Sequence, residues 1–286
     1  MKKILFESEY FNVKDTVLCG QLFRYFPTDV KSGGYFVSSG DKRCLCYNQG
    51  DSAVVECEDA DAEYFENYFD AERDYASIVG AAESKGGILA RAAALGKGIR
   101  ILNQIKSEAL FSFIVSQNNN IPRIKGIIER LCSGAGQKRD FYGEGYYTFP
   151  SFSEMSEKPL EFFKEIGLGY RAEYIKRLAD GFNATFNERE FSALSTKDLK
   201  KRLLGIYGVG PKVADCVSLF GFHRADSFPV DTWIEKVYRE NFGGTLTDRV
   251  KIADYFVENF GENAGYFQQY LFYYKRSLEK EKQSDK

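Results

Sequence analysis

The chain has one histidine and two methionines in 286 residues, and none of its six cysteines forms a Cys-x-x-Cys pair. A lone histidine, His223, leaves no multi-histidine metal site, and it reads as a loop or surface residue rather than a catalyst. The cysteines stand at 19, 44, 46, 57, 132 and 216, with only one after Cys132. That distribution fits neither a zinc site nor a four-cysteine iron–sulfur cluster, and free thiols suit a reducing compartment. No apolar run approaches membrane-spanning length. Met1-Lys2-Lys3 is followed by only three apolar residues before Glu7, too few for a signal peptide. A cytoplasmic protein with no membrane partner is expected. There is also little net charge, −2 with a pI near 5.8, so any surface for a nucleic acid must be a local patch. Repeats are absent, and the one charged run, Glu279 to Lys286, is expected to fray.

What is present is an ordinary globular composition, 44% hydrophobic and 28% charged, in a chain long enough for two domains. Residues 1–57 alternate apolar and polar positions between Gly, Asp and Ser turns, as in Gly34-Tyr35-Phe36-Val37-Ser38-Ser39-Gly40, which predicts an antiparallel sheet. Cys44 and Cys46 fall on one face of a strand, where they serve as core fillers. From Asp59 the apolar spacing turns helical, through Tyr64, Phe65 and Phe69 and again over Ile101–Val115. The expected fold is α+β and mostly α: a sheet domain with a flanking helix over residues 1–82, then a helical domain over 83–286.

Within the second part, Leu203-Leu204-Gly205-Ile206-Tyr207-Gly208-Val209-Gly210-Pro211-Lys212 reads as a helix, a tight glycine hairpin and a second helix, at about 196–221. Gly208 and Gly210 let the backbone approach a phosphate, whose charge the hairpin amides and the next helix's N-terminus can bind. Ser195 or Thr196 caps the first helix, and Pro211 suits the first turn of the second. Lys212 and Cys216 lie four apart and share a face. Asp231, after Pro229, precedes a helical apolar pattern from Thr232 and is read as an N-cap with a fixed carboxylate. Two further polar stretches each allow two readings. Gln117-Asn118-Asn119-Asn120 before Pro122-Arg123 is either a capped helix end or a loop that contacts bases. Gly169-Tyr170-Arg171 is either an ordinary turn or a stacking wedge.

Taken together, these segments resemble the 8-oxoguanine DNA glycosylases of the helix-hairpin-helix superfamily, the Ogg branch. The resemblance rests on Cys19-Gly20-Gln21-Leu22-Phe23-Arg24, the Asn118–Arg123 loop, Leu168-Gly169-Tyr170-Arg171-Ala172, the hairpin with Lys212, Pro229-Val230-Asp231 and Ala264–Phe272, in that order. It implies a bifunctional glycosylase and abasic-site lyase, needing no cofactor, that flips 8-oxoguanine out of double-stranded DNA. In that scheme Lys212 is the nucleophile that forms a Schiff base and Asp231 its catalytic partner. The amine must lose its proton to act, with Leu219, Phe220 and Phe228 as an apolar wall. Gly20, Cys216, Gln268 and Phe272 recognise the base. Asn118, Arg123, Tyr170, Arg171, Gly208 and Gly210 contact DNA or the opposite base. The carbonyls of Leu204, Ile206 and Val209 hold a structural cation, monovalent or divalent.

Trp233 stands where eukaryotic members of the branch carry a phosphate-contacting histidine, and the compact N-terminal region resembles bacterial or archaeal versions. A monomer acting on the nucleoid of a prokaryote follows, without organelle targeting. Two rival readings remain: a sibling glycosylase for another lesion, and a non-catalytic hairpin DNA-binding protein. The lysine argues against alkyl-base enzymes, which lack it, and the cysteine pattern against the siblings with iron–sulfur clusters.

Overall fold

A computed structural model of the chain describes residues 1–284. Its N-terminal part is a five-stranded antiparallel sheet built from β1 (Lys2–Glu7), β2 (Tyr25–Thr28), β3 (Gly34–Ser39), β4 (Lys42–Gln49) and β5 (Ser52–Cys57), in the order β1-β5-β4-β3-β2. Ile4, Phe6, Val37, Cys44, Cys46 and Val55 project from one face. They pack under α1 (Val13–Leu18) and α2 (Ala62–Tyr68), with Phe11, Phe65 and Phe69 among the buried residues. The cysteines fill this core as expected, the sulfurs of Cys44 and Cys46 lying 3.5 Å apart.

The opposite sheet face, Phe36, Leu45, Tyr47 and Val54, is covered by a hairpin that the sequence reading did not place: β6 (Lys138–Phe141) and β7 (Glu144–Tyr147). Its turn holds Tyr142 and Gly143 at φ +59° and +74°, the doubly left-handed geometry of a tight two-residue hairpin. A tyrosine in the first of those positions, and strands with only Phe141 and Tyr146 buried, give little sequence signal.

The rest is helical: α3 (Tyr75–Ser84), α4 (Gly87–Gly96), α5 (Lys106–Ser116), α6 (Ile121–Ala135), α7 (Phe152–Ser156), α8 (Leu160–Glu165), α9 (Arg171–Thr185) and α10 (Glu188–Ser192). There follow α11 (Thr196–Leu204), α12 (Pro211–Phe220), α13 (Thr232–Asn241), α14 (Arg249–Phe260) and α15 (Ala264–Ser284). One hydrophobic core joins them, and α3 contributes Tyr75, Ile78 and Val79 to it rather than to the core under the sheet. The charged tail is helical as far as Ser284, and Asp285 and Lys286 lie outside the described residues. Among the described residues no helix is long and apolar enough to cross a membrane.

Helix α5 is the axis of this part, buried from Glu108 to Val115 and packed against α6, α9 and α12. Phe113 stacks on Phe220 of α12 with centroids 5.4 Å apart, and each such buried ring contributes about 1.5–3 kcal/mol. At the start of α5, Glu108 receives Arg24 at 3.2 Å and the amide of Gly40 at 2.7 Å. This buried pair ties the sheet to the helices, and removing one partner would cost about 3–5 kcal/mol.

Candidate functional site

The hairpin forms as the sequence predicts. Ser195 caps α11, its hydroxyl accepting the amide of Asp198 at 3.1 Å, and Gly210 is the N-cap of α12 with Pro211 in the first turn. Gly208 sits at φ +88°, and a Cβ there would lie 2.5 Å from the Tyr174 ring, so no other residue fits. Its carbonyl accepts the Gln117 amide at 2.9 Å, which fastens the hairpin to the loop after α5. Asp231 caps α13, with Oδ1 taking the amides of Trp233 and Ile234, both at 2.9 Å. The carboxylate is thereby fixed at the edge of the adjoining cleft.

That cleft, of about 600 Å³, runs between the Ser116–Ile121 loop, the start of α12, the start of α13 and α15. It opens into an inner recess of about 50 Å³ bordered by Cys216, Phe220, Pro229, Gln268 and Gln269. Gly20, Phe113, Lys212, Asp231 and Phe272 line both spaces and so form the threshold between them. The Lys212 amine lies 3.4 Å from the Ser116 hydroxyl and 5.2 Å from the centre of the Phe113 ring. Of the apolar wall expected around Lys212, only Phe220 lines the recess. Phe228 stacks on Phe256 at 4.3 Å and Leu219 packs beside Gly265, so Phe113 takes their place.

Burial pushes the Asp231 carboxyl above the ordinary aspartate value, while the Ile234 amide, the Lys212 ammonium and the Trp233 amide pull it back. Burial likewise pushes the Cys216 thiol up to about 11, so it faces the recess as a neutral, polarisable wall. Gln268, 5% exposed, donates its amide NH₂ to the Pro229 carbonyl at 3.1 Å. The carbonyl partner fixes which end of the amide is which, and Oε1 is left buried with no partner. An unpaired buried acceptor costs about 1–3 kcal/mol, a cost relieved by a ligand that brings a donor. Gly20 sits at φ +97° with Phe272 3.3 Å from where a Cβ would stand. Gln269 holds this corner, donating to the Cys19 carbonyl at 3.1 Å.

The capped-helix reading of the amide run is met at Asn120. Asn120 caps α6, accepting the Arg123 amide at 3.0 Å, while Asn118, at φ +45°, lines the cleft and reaches the Tyr170 hydroxyl at 3.4 Å. Tyr170 is exposed, and Arg123 turns to the Gly167 carbonyl at 3.3 Å. Arg171 differs from the expected DNA contact: it is 3% exposed, and its guanidinium is hydrogen-bonded to the carbonyls of Gln117, Asn118 and Leu168. In this state it holds the loop that presents Asn118. Sequence reasoning missed Phe113, Ser116 and Gln269, although all three lie within or beside runs it had singled out. It also missed Arg249 and Arg276, isolated arginines that line the cleft with no motif to mark them.

Residues 3–110 match the family of the 8-oxoguanine DNA glycosylase N-terminal domain, and residues 111–259 match the HhH-GPD superfamily base excision DNA repair protein. Among solved structures, the 8-oxoguanine glycosylase/lyase of Clostridium acetobutylicum in its apo-form is 35% identical, with a TM-score of 0.89 and 96% of each chain covered. The same enzyme with double-stranded DNA containing cytosine opposite 8-oxoG is 34% identical, with a TM-score of 0.90, covering 96% of this chain and 98% of that one. A probable N-glycosylase/DNA lyase of Methanothermobacter thermautotrophicus is 31% identical over 63% of this chain and 64% of that protein. For the N-glycosylase/DNA lyase of Saccharomyces cerevisiae the figures are 36%, 51% and 42%. The chain thus spans less than two thirds of the length of either curated relative.

Proposed function

The chain belongs to the 8-oxoguanine glycosylase branch of the helix-hairpin-helix base excision repair superfamily, and from that premise we propose that it excises 8-oxoguanine from duplex DNA and nicks the resulting abasic site. The observation that carries this reading is the threshold geometry. Lys212 and Asp231 border the passage between an open cleft and a recess whose inner wall presents the unpaired Gln268 acceptor.

A nucleotide turned out of the helix enters with its sugar at the threshold and its base in the recess. Phe272 and Cys216 flank the ring, Gln268 Oε1 accepts from the N–H groups of the Watson–Crick edge, and Gly20 lets backbone come close to N7. Guanine presents a lone pair at N7 where 8-oxoguanine presents N–H, so an acceptor there favours the oxidised base. Lys212, as the neutral amine, bonds to C1′ while the bond from C1′ to the base breaks. The departing base takes the bonding electrons and a proton. The Asp231 carboxylate stabilises the positive charge that grows on the sugar. Opening of the sugar ring gives an imine with Lys212. Loss of a C2′ proton then expels the 3′ phosphate and cuts the strand, and water releases the lysine.

Hairpin amides at Gly208 and Gly210 bind the backbone, and Asn118, Arg123 and Tyr170 meet the gap and the opposite base, with Arg171 holding their loop. A cation at the hairpin fits the donor set. Leu204, Ile206 and Val209 lie along the connection from α11 to α12, and the Ile206 carbonyl, which accepts the Val209 amide at 3.0 Å, keeps a second lone pair for such an ion beside the negative end of α11. Such a cation would stiffen the hairpin. The protein works as a monomer on prokaryotic nucleoid DNA, with no cofactor in the chemistry. Incubation with duplexes carrying different lesions opposite each of the four bases tests the reading. Strand cleavage confined to 8-oxoguanine duplexes supports it. Cleavage at another lesion makes the chain a sibling enzyme, and binding without cleavage a scaffold.

A further inference from the structure

Tyr207, the residue before Gly208 in the hairpin, is 51% exposed, yet its ring is pinned. It meets Tyr174 edge-on, with centroids 5.0 Å apart and planes at 90°, and Tyr174 meets Tyr170 in the same way at 5.7 Å. Over the Tyr207 ring lies the guanidinium of Arg177, 4.4 Å from its centre. Three cations of α9 and α11 are neutralised: Lys176 by Asp180 at 2.5 Å, Lys200 by Asp215 at 2.6 Å and Arg202 by Glu190 at 2.8 Å. Arg177 has no such partner among the described residues, although Glu173 stands four residues earlier on the same helix, the spacing at which a pair commonly forms. The guanidinium turns to the hairpin instead. A guanidinium on an aromatic face keeps the N–H groups of its edge free to bind an oxyanion.

We infer that Arg177, held on Tyr207, extends the hairpin's grip by one backbone phosphate of the DNA strand that Gly208 and Gly210 face. The surface is continuous with the hairpin, and an unpaired cation beside backbone amides is complementary to a phosphodiester. The inference rests on the DNA-binding reading given above. Such a contact carries no base information, so it should strengthen lesion and undamaged duplexes alike.

The test is the salt dependence of affinity for lesion-containing and undamaged duplexes of one sequence. Each phosphate contact adds about 0.9 to the slope of log affinity against log salt. Arg177→Gln should lower that slope by about 0.9, so its deficit should be roughly threefold larger at 50 mM than at 200 mM salt, equally for both duplexes. Tyr207→Leu, which removes the ring beneath the guanidinium, should lower the slope in the same direction. Arg202→Gln, already paired with Glu190, should leave it unchanged. Wild-type affinity without salt dependence would defeat the DNA-binding reading and this one with it. A normal wild-type slope that Arg177→Gln does not alter, or a loss confined to the lesion duplex, would overturn the phosphate contact alone.

Discussion

Of two cavities among the described residues, one around His223 and one beside Lys212, the larger is not the proposed site. The cavity around His223, about 940 Å³, exceeds the 600 Å³ cleft beside Lys212. Left-handed backbone does not separate them, since Asp70 and His223 in the first and Asn118 in the second all have positive φ. What differs is how the polar groups are matched. Asp70 holds the His223 ring at 3.2 Å, the Tyr75 hydroxyl at 3.1 Å and Arg73 at 3.4 Å, while Asp226 takes the Thr196 hydroxyl at 2.7 Å. The leftover buried atoms there, His223 Nδ1 and Arg224 Nε, belong to side chains already anchored through other nitrogens. Asp70, Glu72, Asp74, Asp226 and Glu262 also face this cavity against Arg73 and Arg224, a balance that repels a nucleic acid. In the cleft, Arg249 is paired with Glu235 at 3.1 Å, but Lys212 and Arg276 still outweigh Asp231, and the Gln268 acceptor is left open in the recess that Phe272 and Cys216 also line. Unmatched groups beside apolar walls mark a site better than volume does.

The comparison is broken most sharply at Asp231. Asp231→Asn keeps size and capping ability but removes the charge, and single-turnover excision should fall by about 10²–10³. The wild-type rate should also fall on the acid side with a midpoint above the ordinary aspartate range. Burial raises this carboxyl, and only its ionised form stabilises the sugar cation. That limb should vanish in the variant. An unchanged rate would reduce Asp231 to a helix cap.

A smaller effect is expected at Gln268. Gln268→Ala removes the open acceptor, about 1–3 kcal/mol or on the order of tenfold in 8-oxoguanine excision. Cleavage of a pre-formed abasic site should be untouched, because the threshold is intact. Parallel loss of both activities would show that Gln268 supports the fold through Pro229 rather than reading a base.

How far the sequence disclosed this depended on the kind of signal. The hairpin, the Asp231 cap and the pairing of Lys212 with Cys216 follow from local rules, glycine geometry, cap chemistry and helical spacing, and each was legible. Phe113 as the wall beside Lys212 was not, because its place depends on how α5 packs across α12, a contact between residues about a hundred apart in the chain. Arg171 is expected at the DNA because the resemblance puts it there. Only the fold shows its guanidinium buried among loop carbonyls. The hairpin over the sheet escaped notice for want of alternating apolar residues.

The smallest effect belongs to the other cavity. His223→Gln should lower thermal stability by about 1 kcal/mol, through the Asp70 and Tyr266 contacts, and leave the excision rate within about twofold of wild type. A large kinetic defect without unfolding would mean that the larger cavity takes part in the reaction after all.

The central claim, that Lys212 bonds to the sugar at the threshold of the recess, is tested most directly by borohydride reduction during turnover on an 8-oxoguanine duplex, followed by peptide mapping of the cross-link. The account predicts one adduct, on Lys212, absent from Lys212→Gln although that variant still binds the lesion. An adduct on another amine, or undiminished trapping by Lys212→Gln, would contradict it.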